Sequence, residues 1–154
     1  MPLTAGLVIP SWLARSDGSW QAVRSAAGIA LAASGWALVV WTVVLFGRRG
    51  RGTLAPWDPT RALVAEGPFA HVRNPMISGV LVAIIGAALA AGSVRVAGWA
   101  LAFGVVNHVY FVGSEEPGLH RRFGGAYAAY ARAVPRWLPR WRPYRATAAK
   151  RKRT

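Results

Sequence analysis

Two polar clusters in this chain carry residue types that can do chemistry. The first runs from Glu66 through Gly67, Pro68, Phe69, Ala70, His71, Val72, Arg73, Asn74, Pro75 and Met76 to Ile77, hard against a hydrophobic run. Gly67-Pro68 is a turn signal. Pro75 suits the first turn of a helix, where its missing N–H costs nothing. Asn74, driven out of the α region by the proline that follows, is expected to cap that helix. The first-turn N–H groups then point outward and favour a polar or anionic group, with Arg73 and His71 beside them. A plain helix start at a membrane surface accounts for the same residues.

The second cluster is Ser114-Glu115-Glu116, which holds two of only five acids in the chain. It is read as the close of a hydrophobic helix, where paired carboxylates oppose the macrodipole. A charge pair is usually a solvated face, yet a locally unfavourable placement tends to mark a site. Asn107, Phe111 and Glu115 fall at i, i+4 and i+8, one face of that helix. Asn107 and His108 lie inside the apolar run, where polar groups are costly and face a partner or a cavity. A helix–helix hydrogen bond would satisfy Asn107. His71, His108 and His120 show no metal-ligand spacing. With no cysteine in the chain, thiolate sites and disulfides are excluded.

The elements that must position these residues are hydrophobic segments. Apolar residues make up 54% of the 154, yet the net charge is +14, so grease and charge are segregated along the chain in the manner of a membrane protein. The 17 arginines outnumber the 2 lysines, and with abundant Ala and Gly they suggest a GC-rich bacterial source. Leu3 to Leu13 is too short to span, has no basic residues before it as a signal peptide would, and reads as an interfacial piece or the stump of a longer helix. Ser25 to Gly47 is an uncharged run of 23 residues, long enough to cross a bilayer with tilt. Arg48, Arg49 and Arg51 follow at once, which marks the cytoplasmic side. Gly50 to Asn74 is a long, proline-ordered connection of the kind that carries function. Met76 to Gly92 and Val94 to Gly113 are predicted to form a helical hairpin around Gly92-Ser93, with Gly79 and Gly86 allowing close helix approach.

Pro117 to Val134 is amphipathic, with Leu119, Phe123, Tyr127, Tyr130 and Val134 at helical spacing and Gly124-Gly125 splitting it in two. It is predicted to be an interfacial helix pair. Arg136-Trp137 and Arg140-Trp141-Arg142 mix guanidinium and indole groups at headgroup level. Residues 142–154 form a basic tail ending in Lys150 to Arg153. Such a segment could bind RNA, but beside a membrane hairpin it reads as an attachment to anionic lipid headgroups. The fold class expected is therefore all-α integral membrane: at least three transmembrane helices, a helical hairpin and C-terminal interfacial helices, in a single domain.

Gly67-Pro68-Phe69, Val72-Arg73-Asn74-Pro75-Met76, Gly79, Glu115-Glu116-Pro117, Leu119, Phe123-Gly124, Tyr127, Tyr130 and Val134-Pro135-Arg136 follow one another around that hairpin. In this order they resemble the isoprenylcysteine carboxyl methyltransferase family, whose core is shared with the phospholipid N-methyltransferases. The resemblance covers about residues 47–141. It implies an integral membrane enzyme that uses S-adenosylmethionine at the cytoplasmic end of the hairpin. By position, the cofactor contacts implied are Arg61, Ala62, Leu63, Val64, Phe69, Asn74, Pro75, Met76, Ile77 and Glu115. Donors at a helix start and a carboxylate at a helix end suit the two ends of the cofactor's amino acid part. Relatives usually carry a longer N-terminal hydrophobic segment, which puts Met1 in question as the true start.

Three positions depart from the family pattern. Asn74 stands where the family has His, Ile77 where it has Tyr, and Phe111 where the prenylcysteine enzymes place the Arg that faces the substrate carboxylate. The last argues against a prenylcysteine acceptor and leaves a lipid or lipid-linked small molecule. Glu116, or Asn107 with His108, is expected to orient or deprotonate that acceptor. Two rival readings stand beside this one: a nicotinamide-dependent membrane reductase of similar core, and a non-catalytic membrane protein that binds lipid or a partner. The expected location is the bacterial inner membrane.

Overall fold

The computed structural model describes residues 18–49 and 63–145. Leu3 to Leu13, Arg61, Ala62 and the basic tail from Lys150 lie outside the described residues. The described part contains helices and turns and no strand. α1 is Gly18–Arg49, α2 is Pro75–Ala91 and α3 is Val94–Tyr110. A π-helical turn, Phe111–Glu115, leads straight into α4, Glu116–Ala133, and a short 3₁₀ turn, Gly67–Ala70, precedes α2.

Two of these helices are long and apolar enough to cross a membrane: Trp20–Arg49, with mean hydropathy 2.2, and the continuous Val94–Ala133, at 1.4. Their apolar side chains are largely outside. Trp36, Val40 and Trp41 on α1, and Trp99, Leu101, Val106 and Val109 on α3, are all exposed. A surface of that size and kind calls for lipid around it. The expectation of at least three spanning helices meets only two of that length among the described residues. α2 is equally apolar but has 17 residues, about 25 Å of helix.

α1 and α2 pack through small residues. Gly28, Ala32 and Gly35 on α1 meet Gly79, Ala83, Gly86 and Ala90 on α2 at backbone contact distance. A Cβ on Gly35 would stand 2.5 Å from the Ala83 nitrogen, and one on Gly79 would stand 2.8 Å from the Gly35 carbonyl. Where lipid tails are as apolar as leucine, such close backbone approach is a main source of helix association. The expected role of Gly79 and Gly86 is thus realised, with α1 as the partner.

The hairpin turns where predicted. Gly92 takes the left-handed conformation at φ 61° and donates its N–H to the carbonyls of Ala88 and Leu89, while Ser93 accepts from the Val96 N–H and opens α3. At the other end of the bundle, the C-terminus of α1 meets the 3₁₀ turn. Phe46 lies against Phe69 with ring centroids 6.1 Å apart, and Arg49 pairs with Glu66 at 3.6 Å on the surface.

Two expectations are corrected here. Ser114-Glu115-Glu116 does not close a helix: the chain runs on through the π turn, and Glu116 enters the first turn of α4 ahead of Pro117. Glu116 thus lies within a continuous helix, its N–H bonded to the Phe111 carbonyl, and no helix end acts on its charge. Nor do Asn107, Phe111 and Glu115 keep one face, because i→i+5 bonding through the π turn shifts the register by a residue. Phe111 is buried and Glu115 is exposed. The break predicted at Gly124-Gly125 is present, with Gly124 at φ 50°, ψ −125° inside α4.

Candidate functional site

The site is built where the start of α2, the π turn and the chain after α4 converge. α2 and α3 are antiparallel and of equal length, 17 residues each. The end of α3 therefore returns level with the start of α2. Arg73, two residues before α2, fixes that juxtaposition by donating from Nη1 to Glu116 Oε1 at 2.9 Å. Arg136, beyond α4, donates from Nε to the same oxygen at 2.7 Å and from Nη2 to Oε2 at 3.0 Å. Glu116 is thus held in a three-residue ion cluster with little exposure: 14% for its side chain, 12% for Arg73 and 26% for Arg136. Hydrogen bonding to the Glu116 carboxylate holds the Arg136 guanidinium above its ordinary range. Arg73 Nε and the Tyr127 hydroxyl, both buried, have no hydrogen-bond partner among the described residues.

A C-terminal strap, Val134–Tyr144, lies on the segment before α2. Arg73 N–H donates to the Pro135 carbonyl at 2.9 Å, Arg140 N–H to the His71 carbonyl at 3.0 Å and Tyr144 N–H to the Ala70 carbonyl at 2.9 Å. His71 Nδ1 stands 2.7 Å from the Arg140 carbonyl, which needs the proton on that nitrogen. Arg140 Nη1 donates to the Ala133 carbonyl at 2.7 Å. The amphipathic stripe predicted for the last helix supplies the packing underneath. Tyr127, Tyr130 and Val134 form a buried cluster with Leu63, Leu119, Phe123 and Tyr144 around it. The Tyr130 hydroxyl reaches up to donate to the Phe69 carbonyl at 2.7 Å.

Against this frame the expected cofactor contacts fall into two groups. Leu63 packs on the tyrosine cluster and Val64 is buried, so both shape the wall beneath the loop. Phe69 lies between Phe46 and the Tyr130 bond. Asn74 and Pro75 are buried and Met76 and Ile77 half-buried at the helix start. The predicted Asn74 cap is absent. Its backbone, at φ −126° and ψ 64°, does not aim the amide at the helix N–H groups, and the side chain makes no cap bond. The first bond closing α2 runs from Ser78 N–H to the Asn74 carbonyl. Met76 and Ile77 N–H groups have no backbone acceptor among the described residues. Glu115 is exposed and makes no hydrogen bond or ion pair among the described residues.

The three residues expected to act on the acceptor are each held by a different partner. Both Glu116 oxygens are engaged by arginine. Asn107 donates to the Phe103 carbonyl, 2.8 Å away on its own helix, and so spans no helix pair. His108 is exposed, and its Nδ1 accepts from Trp137 Nε1 at 3.0 Å. That bond places the imidazole proton on Nε2, the nitrogen left to act as a donor. Trp137 also packs near Phe111, with centroids 6.3 Å apart.

Sequence reasoning missed Arg136, Trp137 and Arg140 as parts of this frame, reading them as headgroup-level residues. The signal available was Arg136 following Val134-Pro135, which reads equally well as a lipid contact. A model of the phospholipid methyltransferase family matches residues 23–126, an interval that opens inside α1 and ends within α4. No curated protein and no solved structure matches the chain.

Proposed function

The chain belongs to the phospholipid methyltransferase family, and from that premise we propose that it transfers a methyl group from S-adenosylmethionine to a lipid or lipid-linked small molecule at the cytoplasmic membrane face. α2 is read as the third crossing, shortened because its ends are met by Gly92 and the 3₁₀ loop. Of the described arginines only Arg24 and Arg95 belong to the Gly92 end of the bundle, while Arg48, Arg49, Arg73 and all those after Glu116 stand toward the site. That asymmetry supports a cytoplasmic site. The bacterial inner membrane remains the reading of the composition.

The residues present fit the cofactor by the chemistry of their free groups. One carboxylate, Glu115, has no partner among the described residues and stands directly beside one that is fully engaged. A helix start with unaccepted N–H groups on Met76 and Ile77 lies at the same end of the bundle. A cation and an anion are what those two sets bind, and an amino acid zwitterion carries both. Bound there, S-adenosylmethionine supplies an electrophilic methyl group on a sulfonium. Glu115 would hold the ammonium, the α2 N-terminus the carboxylate, and Leu63, Val64 and Phe69 would exclude water from the apolar side. Asn74, buried beside them, is proposed to serve the same pocket, as are Pro75 and, outside the described residues, Arg61 and Ala62.

Methyl transfer from a sulfonium needs chiefly alignment of donor and acceptor. The expected acid–base duty of Glu116 gives way to a positioning one: with two guanidinium groups on its oxygens it locks α2, α4 and the strap together. His108, with Nε2–H outward, is placed to orient an oxygen of the acceptor. Asn107, bonded to its own helix, is proposed to keep α3 regular up to the π turn.

The unpaired state of Glu115 beside the clamped Glu116 is the observation that carries this reading. Calorimetric titration of the detergent-purified protein tests it. S-adenosylhomocysteine is expected to bind and NADPH not to, which also separates the reductase and non-catalytic alternatives. Glu115→Gln keeps the shape and removes the charge, and should weaken binding at least tenfold, about 1.4 kcal/mol. Wild-type affinity in a folded Glu115→Gln protein, with helicity checked by circular dichroism, overturns the assignment.

A further inference from the structure

The strap has two faces with opposite chemistry. Arg136, Trp137, Arg140 and Tyr144 turn inward, and their side chains bond or pack against Glu116, His108, the Ala133 carbonyl and the Tyr130 ring respectively. Leu138, Trp141, Arg142 and Arg145 turn outward. Trp141 is 99% exposed and Leu138 79%. An exposed indole and isobutyl group beside two guanidinium groups with no ion pair among the described residues form an apolar wedge with a cationic rim. That combination is matched by the headgroup boundary of an anionic bilayer, where indoles settle and arginines meet phosphates. The inward face is the same strand of chain that holds Ala70, His71 and Arg73 in place, only a few residues from the α2 N-terminus.

We infer that the outward face of the strap docks on an anionic membrane surface, and that this docking holds the 67–74 loop in the binding-competent arrangement. The inference rests on the proposed cofactor site for its consequence, though not for the docking itself. An undocked strap is held by backbone bonds and by partly exposed side chains, and its loosening frees Arg136 and the loop together. Anionic lipid therefore acts as an activator of the site, distinct from any acceptor lipid bound within it.

The test uses the full chain in nanodiscs of phosphatidylcholine alone or mixed with phosphatidylglycerol. Hydrogen exchange of residues 67–74 and 134–144 is read in both, with S-adenosylhomocysteine affinity measured in parallel. Anionic discs should raise protection of both segments roughly tenfold and tighten S-adenosylhomocysteine by roughly fivefold, the lower range of site-to-site coupling. The Trp141→Ala/Arg142→Gln double variant changes only outward residues and retains the basic tail. It should keep the neutral-disc values and lose both responses. Equal exchange in the two compositions overturns the inference, as does a double variant that responds like the wild type, or free phosphate reproducing the effect in neutral discs. If S-adenosylhomocysteine binds in neither disc while exchange still responds to lipid charge, the docking stands and the cofactor reading falls.

Discussion

Replacing Glu116 by Gln should unfold the site before it impairs any chemical step. The carboxylate accepts three charge-assisted hydrogen bonds, and two guanidinium nitrogens stand within 2.9 Å of its Oε1. Without its charge, two cations about 5 Å apart are left facing each other, a repulsion of about 3 kcal/mol at an effective dielectric of about 20. Arg73 is the more costly of the two because only 12% of its side chain is exposed, so water cannot replace the lost partner. Breaking a buried pair on one side typically costs about 3–5 kcal/mol, and Gln retains one acceptor, so a loss of about 3 kcal/mol is expected. Arg136→Gln, on the more exposed arm, should cost about 1–2 kcal/mol, and the double variant should cost less than the sum because the repulsion is then relieved. Chemical unfolding in detergent, followed by circular dichroism for wild type, both single variants and the double, supplies the cycle. A Glu116→Gln protein as stable as wild type but without turnover would refute the positioning argument and return Glu116 to acid–base duty.

Three further outcomes are expected. Reporter fusions at Gly52 and Thr154 should lie on the same side of the membrane and one at Ser93 on the other, and opposite faces for Gly52 and Thr154 would undo the hairpin topology. Gly35→Leu should separate α1 from α2, because its side chain meets the Gly79 and Ala83 backbone. A loss of at least the 1–3 kcal/mol typical of overpacking (about that range) is expected in the same unfolding assay, whereas Gly47→Leu, with open space around it, should be neutral. Tyr130→Phe removes the 2.7 Å bond to the Phe69 carbonyl and leaves that oxygen short of a donor. It should cost about 1–3 kcal/mol and raise hydrogen exchange in the 3₁₀ turn, with little change in α1.

What could be read from the chain was local or periodic. Gly92 needs its left-handed φ whatever surrounds it, Gly124-Gly125 breaks a helix wherever it stands, and the spacing of Tyr127, Tyr130 and Val134 announces a buried stripe. The site frame is neither local nor periodic. Arg73 and Arg136 are far apart in sequence from each other and from Glu116, and the strap's backbone bonds join residues 70–73 to residues 135–144. Nothing in a run of Trp and Arg distinguishes a side chain bonded to a carboxylate from one bonded to a lipid phosphate. Asn74 misled for a different reason: its residue type suits a cap, but the strap fixes the backbone on its N-terminal side through Arg73 and leaves its amide pointing elsewhere.

The π turn explains why two adjacent glutamates have opposite fates. In an unbroken α-helix Glu115 would follow Phe111 on the buried face, i to i+4, and Glu116 would swing outward. The turn replaces that relation with an i→i+5 bond from the Glu116 N–H to the Phe111 carbonyl. Glu116 now follows Phe111 inward, where Arg73 and Arg136 neutralise it, and Glu115 is displaced to the exposed side with no partner among the described residues. One extra residue in one turn thus separates a structural carboxylate from a free one at the point where α3 comes level with the start of α2. Removing that residue, for example by deleting Val112, should regularise the turn and leave Glu116 at i+4 from Phe111, still on the arginines, while Glu115 falls at i+3. A deletion variant that loses as much stability as Glu116→Gln in the unfolding assay would refute this register argument.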